Sequence, residues 1–205
     1  MKKIAVFASG GGTDFQSVID ANQKSPFCQI AYLVASKPEI GAIRRAEDNG
    51  IQTLVYDKNA FLDKSAFYQF VAKTLKEAGV EYIVLAGWLM VVPPEFIKAF
   101  EDKVINIHPS LIPSFCGMGY YGLKVHQKAI EYGVKLSGAT VHFVEADVDG
   151  GAIIMQRAVE VLPSDTAETL QQRILKEEHK MLPLCVKLLC EGKIKKTGRI
   201  VEVIE

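Results

Sequence analysis

The chain has 205 residues, 49% of them hydrophobic and 23% charged, with 24 Lys and Arg balanced by 24 Asp and Glu. This composition excludes disorder, collagen-like repeats and coiled coils, and the length suits one domain with a sizeable core. Zero net charge excludes a general nucleic-acid binder, which needs a basic excess to neutralise phosphates.

The first half alternates short apolar runs with longer amphipathic ones. Residues 4–8 read as a buried strand, 15–21 as a helix and 29–35 as a second strand. A helix over 39–49 stops at Gly50, and a short strand covers 52–55. Residues 60–78 place Phe67, Phe70, Val71, Leu75 and Ala78 three and four apart, a helical period, before Gly79. Strands follow at 81–86 and 104–107. Apolar strands alternating with helices imply parallel βαβ units in a Rossmann-like α/β fold, helices on both faces. The second half differs. Residues 140–144 and 153–161 read as strands flanking a turn at 147–151, a hairpin pattern that makes the sheet mixed. A long helix over 166–190 must accommodate Pro183, and Gly192 ends it. A small strand pair is expected around 194 and 200–204. With no repeat or linker, residues 1–205 are expected to form a single domain. It would comprise a first half to about 100, a second part over 101–190 and a short tail.

Cys28, Cys116, Cys185 and Cys190 form no Cys-x-x-Cys motif, so free thiols in a reducing compartment are expected. The apolar start is too short for a signal peptide, and the longest uncharged apolar run, 82–92, is far below the roughly 20 residues that cross a bilayer. A cytoplasmic protein without membrane contact is expected.

Three segments could carry chemistry. Ser9-Gly-Gly-Gly-Thr-Asp14 lies between the first strand and the first helix, where glycines allow close approach and helical N–H groups face outward. It is neither a dinucleotide fingerprint nor a P-loop, so a single phosphate suits it better than a pyrophosphate. The competing reading is a tight turn with Thr13 as N-cap. The second segment is Asn106-Ile-His-Pro-Ser-Leu-Ile-Pro113, at the carboxyl end of a predicted strand. Period-two alternation puts Asn106 and His108 on one face, where an amide and an imidazole can polarise a carbonyl and move a proton. A strand-end asparagine with a satisfied histidine is the plainer alternative. Third, Asp147-Val-Asp-Gly-Gly151 is first of all a turn composition, and Asp149 could also orient His108 and favour its charged form. His142 reads as a buried or site-wall residue. His126 and His179 read as packing or surface residues. No spacing matches a zinc or calcium site, so no metal is expected.

Five motifs, in order, are Ser9-Gly-Gly-Gly-Thr-Asp-Phe-Gln16, Leu85-Ala-Gly-Trp88, Asn106 through Pro113, Ala139-Thr-Val-His-Phe-Val144 and Asp149-Gly-Gly151. Together they resemble the phosphoribosylglycinamide formyltransferases of the folate-dependent formyltransferase superfamily, over nearly the whole chain. The resemblance implies a catalytic set of Asn106, His108 and Asp149. It implies ribonucleotide and phosphate contacts from Gly12, Thr13, Asp14 and Glu178. Folate contacts would come from Lys64, Leu89, Met90, Val91, Val92 and Asn106. It implies a cis bond before Pro113, 10-formyltetrahydrofolate as co-substrate, and small-molecule partners, with the protein a monomer or homodimer. Three positions depart from the family. Its loop commonly reads Gly-Ser-Asn where this chain has Gly12-Thr13-Asp14. It often has arginine where Met90 stands. The 115–124 segment, rich in glycine and tyrosine, is longer than in several relatives. The implied reaction is formyl transfer to the amine of glycinamide ribonucleotide through a tetrahedral intermediate, with His108 protonated and Asp149 keeping it so. Formyl transfer to another amine, and a non-catalytic nucleotide-binding module, are the alternatives.

Overall fold

The computed structural model describes residues 1–204. The chain divides into two compact units, Met1–Ile105 and Asn106–Glu205. The first contains β1 (Lys2–Ala8), α1 (Thr13–Lys24), β2 (Cys28–Ala35), α2 (Gly41–Asp48), β3 (Gln52–Val55), α3 (Lys64–Glu77), β4 (Tyr82–Leu85) and α4 (Pro94–Ala99). The division falls within β5 (Val104–His108). The second unit continues with α5 (Leu123–Tyr132), β6 (Leu136–Phe143), β7 (Ile153–Glu160), α6 (Ala167–Cys190), β8 (Ile194–Thr197) and β9 (Ile200–Val203).

Seven strands form one sheet in the order β3-β2-β1-β4-β5-β6-β7. β1 pairs in parallel with β2 and β4, and β2 with β3, while β6 and β7 pair antiparallel. The expected mixed α/β sheet is therefore present. β1 carries Ile4 to Ala8 without a polar residue, and all five are fully buried. A strand covered on both faces needs that continuous apolar run rather than alternation. In the second unit, Ala139, Val141 and Phe143 of β6 are buried, as are Leu170, Ile174, Met181, Leu182 and Val186 of α6. Among the described residues, no helix is long and apolar enough to cross a membrane.

Local chemistry shifts some expected boundaries. α3 starts at Lys64 rather than at residue 60, because the Asp63 carboxylate caps it by accepting the Ala66 N–H at 2.8 Å. α4 has no counterpart among the expected elements. Its six residues follow Pro93, with Pro94 in the first turn, where the missing N–H costs nothing. Pro183 lies inside α6 without ending it. The start of α6 is fixed by a reciprocal Thr166–Thr169 capping box and by Arg173, which forks onto Asp165 at 2.7 and 2.8 Å. β8 and β9 form the expected tail hairpin.

Candidate active site

In the second unit, β5 ends at His108 and β6 runs beside it, so Asn106, His108 and His142 stand on neighbouring strands. His108 and His142 are 5% and 1% exposed. The β6–β7 register skips Ile154, because Val141 pairs with Met155 and His142 with Ile153. A bulge of this kind bends the strand that leaves the intervening turn. That turn carries Asp149 with φ 56°, in the left-handed region. Gly151 is obligatory there, since a Cβ would lie 1.9 Å from the Phe143 carbonyl oxygen.

The turn places one carboxylate between two imidazoles. Asp149 Oδ2 is 3.6 Å from His108 Nδ1, and its Oδ1 is 3.6 Å from His142 Nε2. The Gly117 N–H donates to Oδ2 at 2.8 Å. The partners fix the tautomers. His108 Nε2 lies 2.9 Å from the Phe115 carbonyl oxygen, which only accepts, so Nε2 carries a proton and a neutral ring turns its Nδ1 lone pair toward Asp149. His142 Nδ1 lies 2.8 Å from the Phe143 carbonyl oxygen and is likewise protonated. His142 Nε2 then accepts from the Asn106 amide at 3.1 Å, which orients that amide and leaves its second N–H to another acceptor.

Burial and charge compete at this site. Burial pushes the His108 pKa down, and it outweighs the opposing pull of Asp149 and the Phe115 carbonyl. Burial thus favours the neutral ring, against the carboxylate, which favours the charged one. For Asp149, burial alone would raise the pKa. The neighbouring His142 and His108 imidazoles and the Gly117 N–H more than offset it, so the carboxyl is held below its ordinary value. His126 of α5 is buried and driven down to about 4, by burial first and by His108 second. Burial and Asp149 raise the Cys116 thiol. None of the four cysteines is in a disulfide.

Asn106, His108 and Asp149 are thus brought together, with His142 as the link between Asn106 and Asp149. His142 was underrated by sequence reasoning. The usable signal was its two-residue spacing from Thr140, which is itself buried and donates to the Ser110 carbonyl at 2.7 Å. Ile112–Pro113 is cis, as the resemblance implied. Glu178 is buried on α6.

In the first unit, the strand order reverses between β1 and β4, which opens a crevice beyond their carboxyl ends. The loops leaving these strands are tied together there. The Ser9 N–H donates to the Gly87 carbonyl at 3.1 Å, and Ser9 Oγ accepts the Leu89 N–H at 2.9 Å. Leu89 and Val91 are each 60% exposed, Met90 and Val92 are half-buried, and Lys64 is exposed at the start of α3. The N-cap of α1 is Gly12, at φ 71°, and not Thr13. A Cβ on Gly12 would approach Ala42 Cβ to 2.7 Å, so the loop packs against α2 only with glycine there. Arg45 holds the loop by donating to the Gly11 carbonyl at 2.8 Å. The first N–H groups of α1 have no partner within the helix.

Asp14 lies in that first turn, and burial raises its pKa to about 6. A bound phosphate would add a further negative charge beside it. Asp14→Asn is therefore expected to bind phosphorylated substrate equally or slightly more tightly, as measured by calorimetry. Markedly weaker binding would mean that the carboxylate itself contacts the substrate.

Comparison with known proteins places the chain in a family. The family model described as "Formyl transferase" matches residues 2–186. A protein of Bacillus subtilis named "Phosphoribosylglycinamide formyltransferase" is 40% identical over 92% of this chain and 95% of its own length. A chloroplastic protein of that name from Vigna unguiculata is 44% identical over 94% of this chain, which spans only 62% of that relative's length. The crystal structure of glycinamide ribonucleotide transformylase 1 from Symbiobacterium toebii superposes with a TM-score of 0.93 at 37% identity, covering 100% of this chain and 95% of that one. The chain belongs to the formyl transferase family, in the branch of the phosphoribosylglycinamide formyltransferases.

Proposed function

We propose that the protein transfers a formyl group from 10-formyltetrahydrofolate to the amine of glycinamide ribonucleotide, in purine synthesis. The observation that carries this reading is the Asn106–His142–Asp149–His108 constellation. It offers a proton acceptor, a waiting counter-charge and an oriented amide, with no serine or cysteine among them. The amine attacks the formyl carbon and a tetrahedral oxyanion forms. As substrate binds, His108 Nε2 gives up the Phe115 carbonyl and the proton of the neutral ring passes to Nδ1 beside Asp149, so the freed Nε2 lone pair takes the proton that the attacking nitrogen sheds. The new imidazolium is stabilised by Asp149 only once it exists, so the pairing favours the intermediate over the ground state. Asn106 N–H and the imidazolium stabilise the oxyanion. His108 then returns the proton to the departing folate nitrogen.

The glycine loop, with the N–H groups of Thr13 and Asp14, holds the substrate phosphate, and Glu178 contacts the ribonucleotide. Lys64, Asn106 and the 89–92 segment hold the folate. The reaction belongs to the cytoplasm and is carried out by a single domain, as a monomer or homodimer on small-molecule substrates. The test is tetrahydrofolate release by the purified protein, with and without glycinamide ribonucleotide. Release that depends on the ribonucleotide supports the proposal, and release at the same rate without it overturns the proposal.

The proton bookkeeping gives a sign. If neutral His108 starts the reaction, kcat rises with pH through a pKa below 6.5, the ordinary histidine value. Asp149→Asn removes the group that raises this pKa, so the acid limb of the kcat profile should move to lower pH while the plateau falls. A limb displaced to higher pH would contradict the assignment.

A further inference from the structure

We propose that the C-terminal hairpin is part of the catalytic apparatus, and that Arg199 is a positioning residue that holds the Asp149 turn from its outer side. The inference rests on the proposed role of Asp149. The turn is anchored on its inner side by His108 of β5, His142 of β6 and the Gly117 N–H. On its outer side it meets the β8–β9 hairpin. Arg199, in the hairpin's own turn, donates from Nη1 to the Gly150 carbonyl at 2.8 Å. Lys196 of β8 pairs with Glu145 at 2.9 Å, and its ammonium lies 5.5 Å from the centre of the Phe143 ring. The two contacts grip Glu145 and Gly150, on either side of Asp149.

The need for an outer brace follows from the backbone. Asp149 sits at positive φ, a conformation that persists in a residue with a side chain only where its surroundings impose it. Within the turn, the Gly150 N–H donates to the Asp147 carbonyl at 3.0 Å. The 3.6 Å gaps to both imidazoles are ion-pair distances rather than hydrogen bonds, so they set direction weakly. Arg199 is exposed and its bond adds little to overall stability. Its value lies in where it pulls. The Gly150 carbonyl belongs to the peptide that immediately follows the Asp149–Gly150 peptide, so fixing it limits rotation of the carboxylate away from His108. The titratable groups around the turn are Glu145, Asp147, Lys196 and Arg199 on one side, and His108, His142 and the Cys116 thiol on the other. His126 acts on His108 from α5.

The test uses the full-length protein and three variants. Arg199→Met keeps a long side chain but cannot donate, whereas Arg199→Lys can still donate. Asp149→Asn serves as the reference. Displacements of about 1 Å in a catalytic group can cost about 10²-fold, so a partly released turn should lower kcat by about tenfold in Arg199→Met. The acid limb of its kcat profile should move to lower pH, in the direction of Asp149→Asn but less far. The thermal midpoint should stay near that of the parent, and Arg199→Lys should recover most of the rate. Wild-type kcat and limb in Arg199→Met would overturn the proposal, as would a loss of rate that only tracks a loss of folded protein. An Asp149→Asn variant with unaltered rate would instead overturn the role of Asp149, so the two failures can be told apart.

Discussion

His108→Ala is expected to lower kcat by about 10²–10⁴-fold, the range for losing a positioned proton carrier that also becomes a charge stabiliser. Substrate affinities should change far less, because His108 is 5% exposed and its ring partners are the Phe115 carbonyl and Asp149 rather than surface groups. The truncation also leaves the Phe115 carbonyl and the Asp149 carboxylate without their shared partner. The variant's thermal midpoint must therefore be compared before its rate is interpreted. A correctly folded variant with near-normal turnover would remove His108 from the mechanism. His108→Gln would sharpen the result, since it can still donate to Phe115 but cannot carry the proton.

The second large effect concerns the glycine loop. Gly12 caps α1 in the left-handed conformation, and the helix's first N–H groups open beyond it. If they bind the substrate phosphate, glycinamide ribonucleoside, which lacks it, should lose most of its kcat/KM. Charge-assisted hydrogen bonds contribute roughly 1.5–3 kcal/mol each, so two of them correspond to a loss of about 10²-fold or more. Gly12→Val should reproduce much of that loss. A β-branched side chain is strained at φ 71° and would collide with Ala42, which displaces the loop from α2. Folate affinity should be nearly unchanged. Equal kcat/KM for the phosphorylated and dephosphorylated amines would reject the phosphate site.

The parts of this account that were legible in the sequence are those encoded by periodicity. The unbroken apolar run of β1 announced a strand buried on both faces. The two-residue spacing of Asn106 and His108 placed both at one strand end. Turn composition located the 147–151 segment, although turn chemistry alone could not say what Asp149 would face. Other features carried no sequence signature. The Phe115 carbonyl that sets the His108 tautomer is a backbone atom. His142 reaches Asn106 and Asp149 through strand pairing, and the bulge at Ile154 depends on register. The balance of charges at His108 was only half legible, because the sequence displays a carboxylate but not the depth of burial that opposes it. α4 escaped because its six residues are too few to establish a helical period. The brace from Arg199 joins positions 49 residues apart in the chain, so no local pattern could have revealed it.

The central claim is that the formyl carbon passes directly from the folate to the ribonucleotide amine. The most direct measurement supplies 10-formyltetrahydrofolate labelled with a heavy isotope at the formyl carbon, together with glycinamide ribonucleotide, and follows the label by NMR. The account predicts that the label appears in the formamide of the ribonucleotide as tetrahydrofolate is released, at matching rates, with no labelled formate. Labelled formate accumulating in solution while the ribonucleotide stays unlabelled would contradict it.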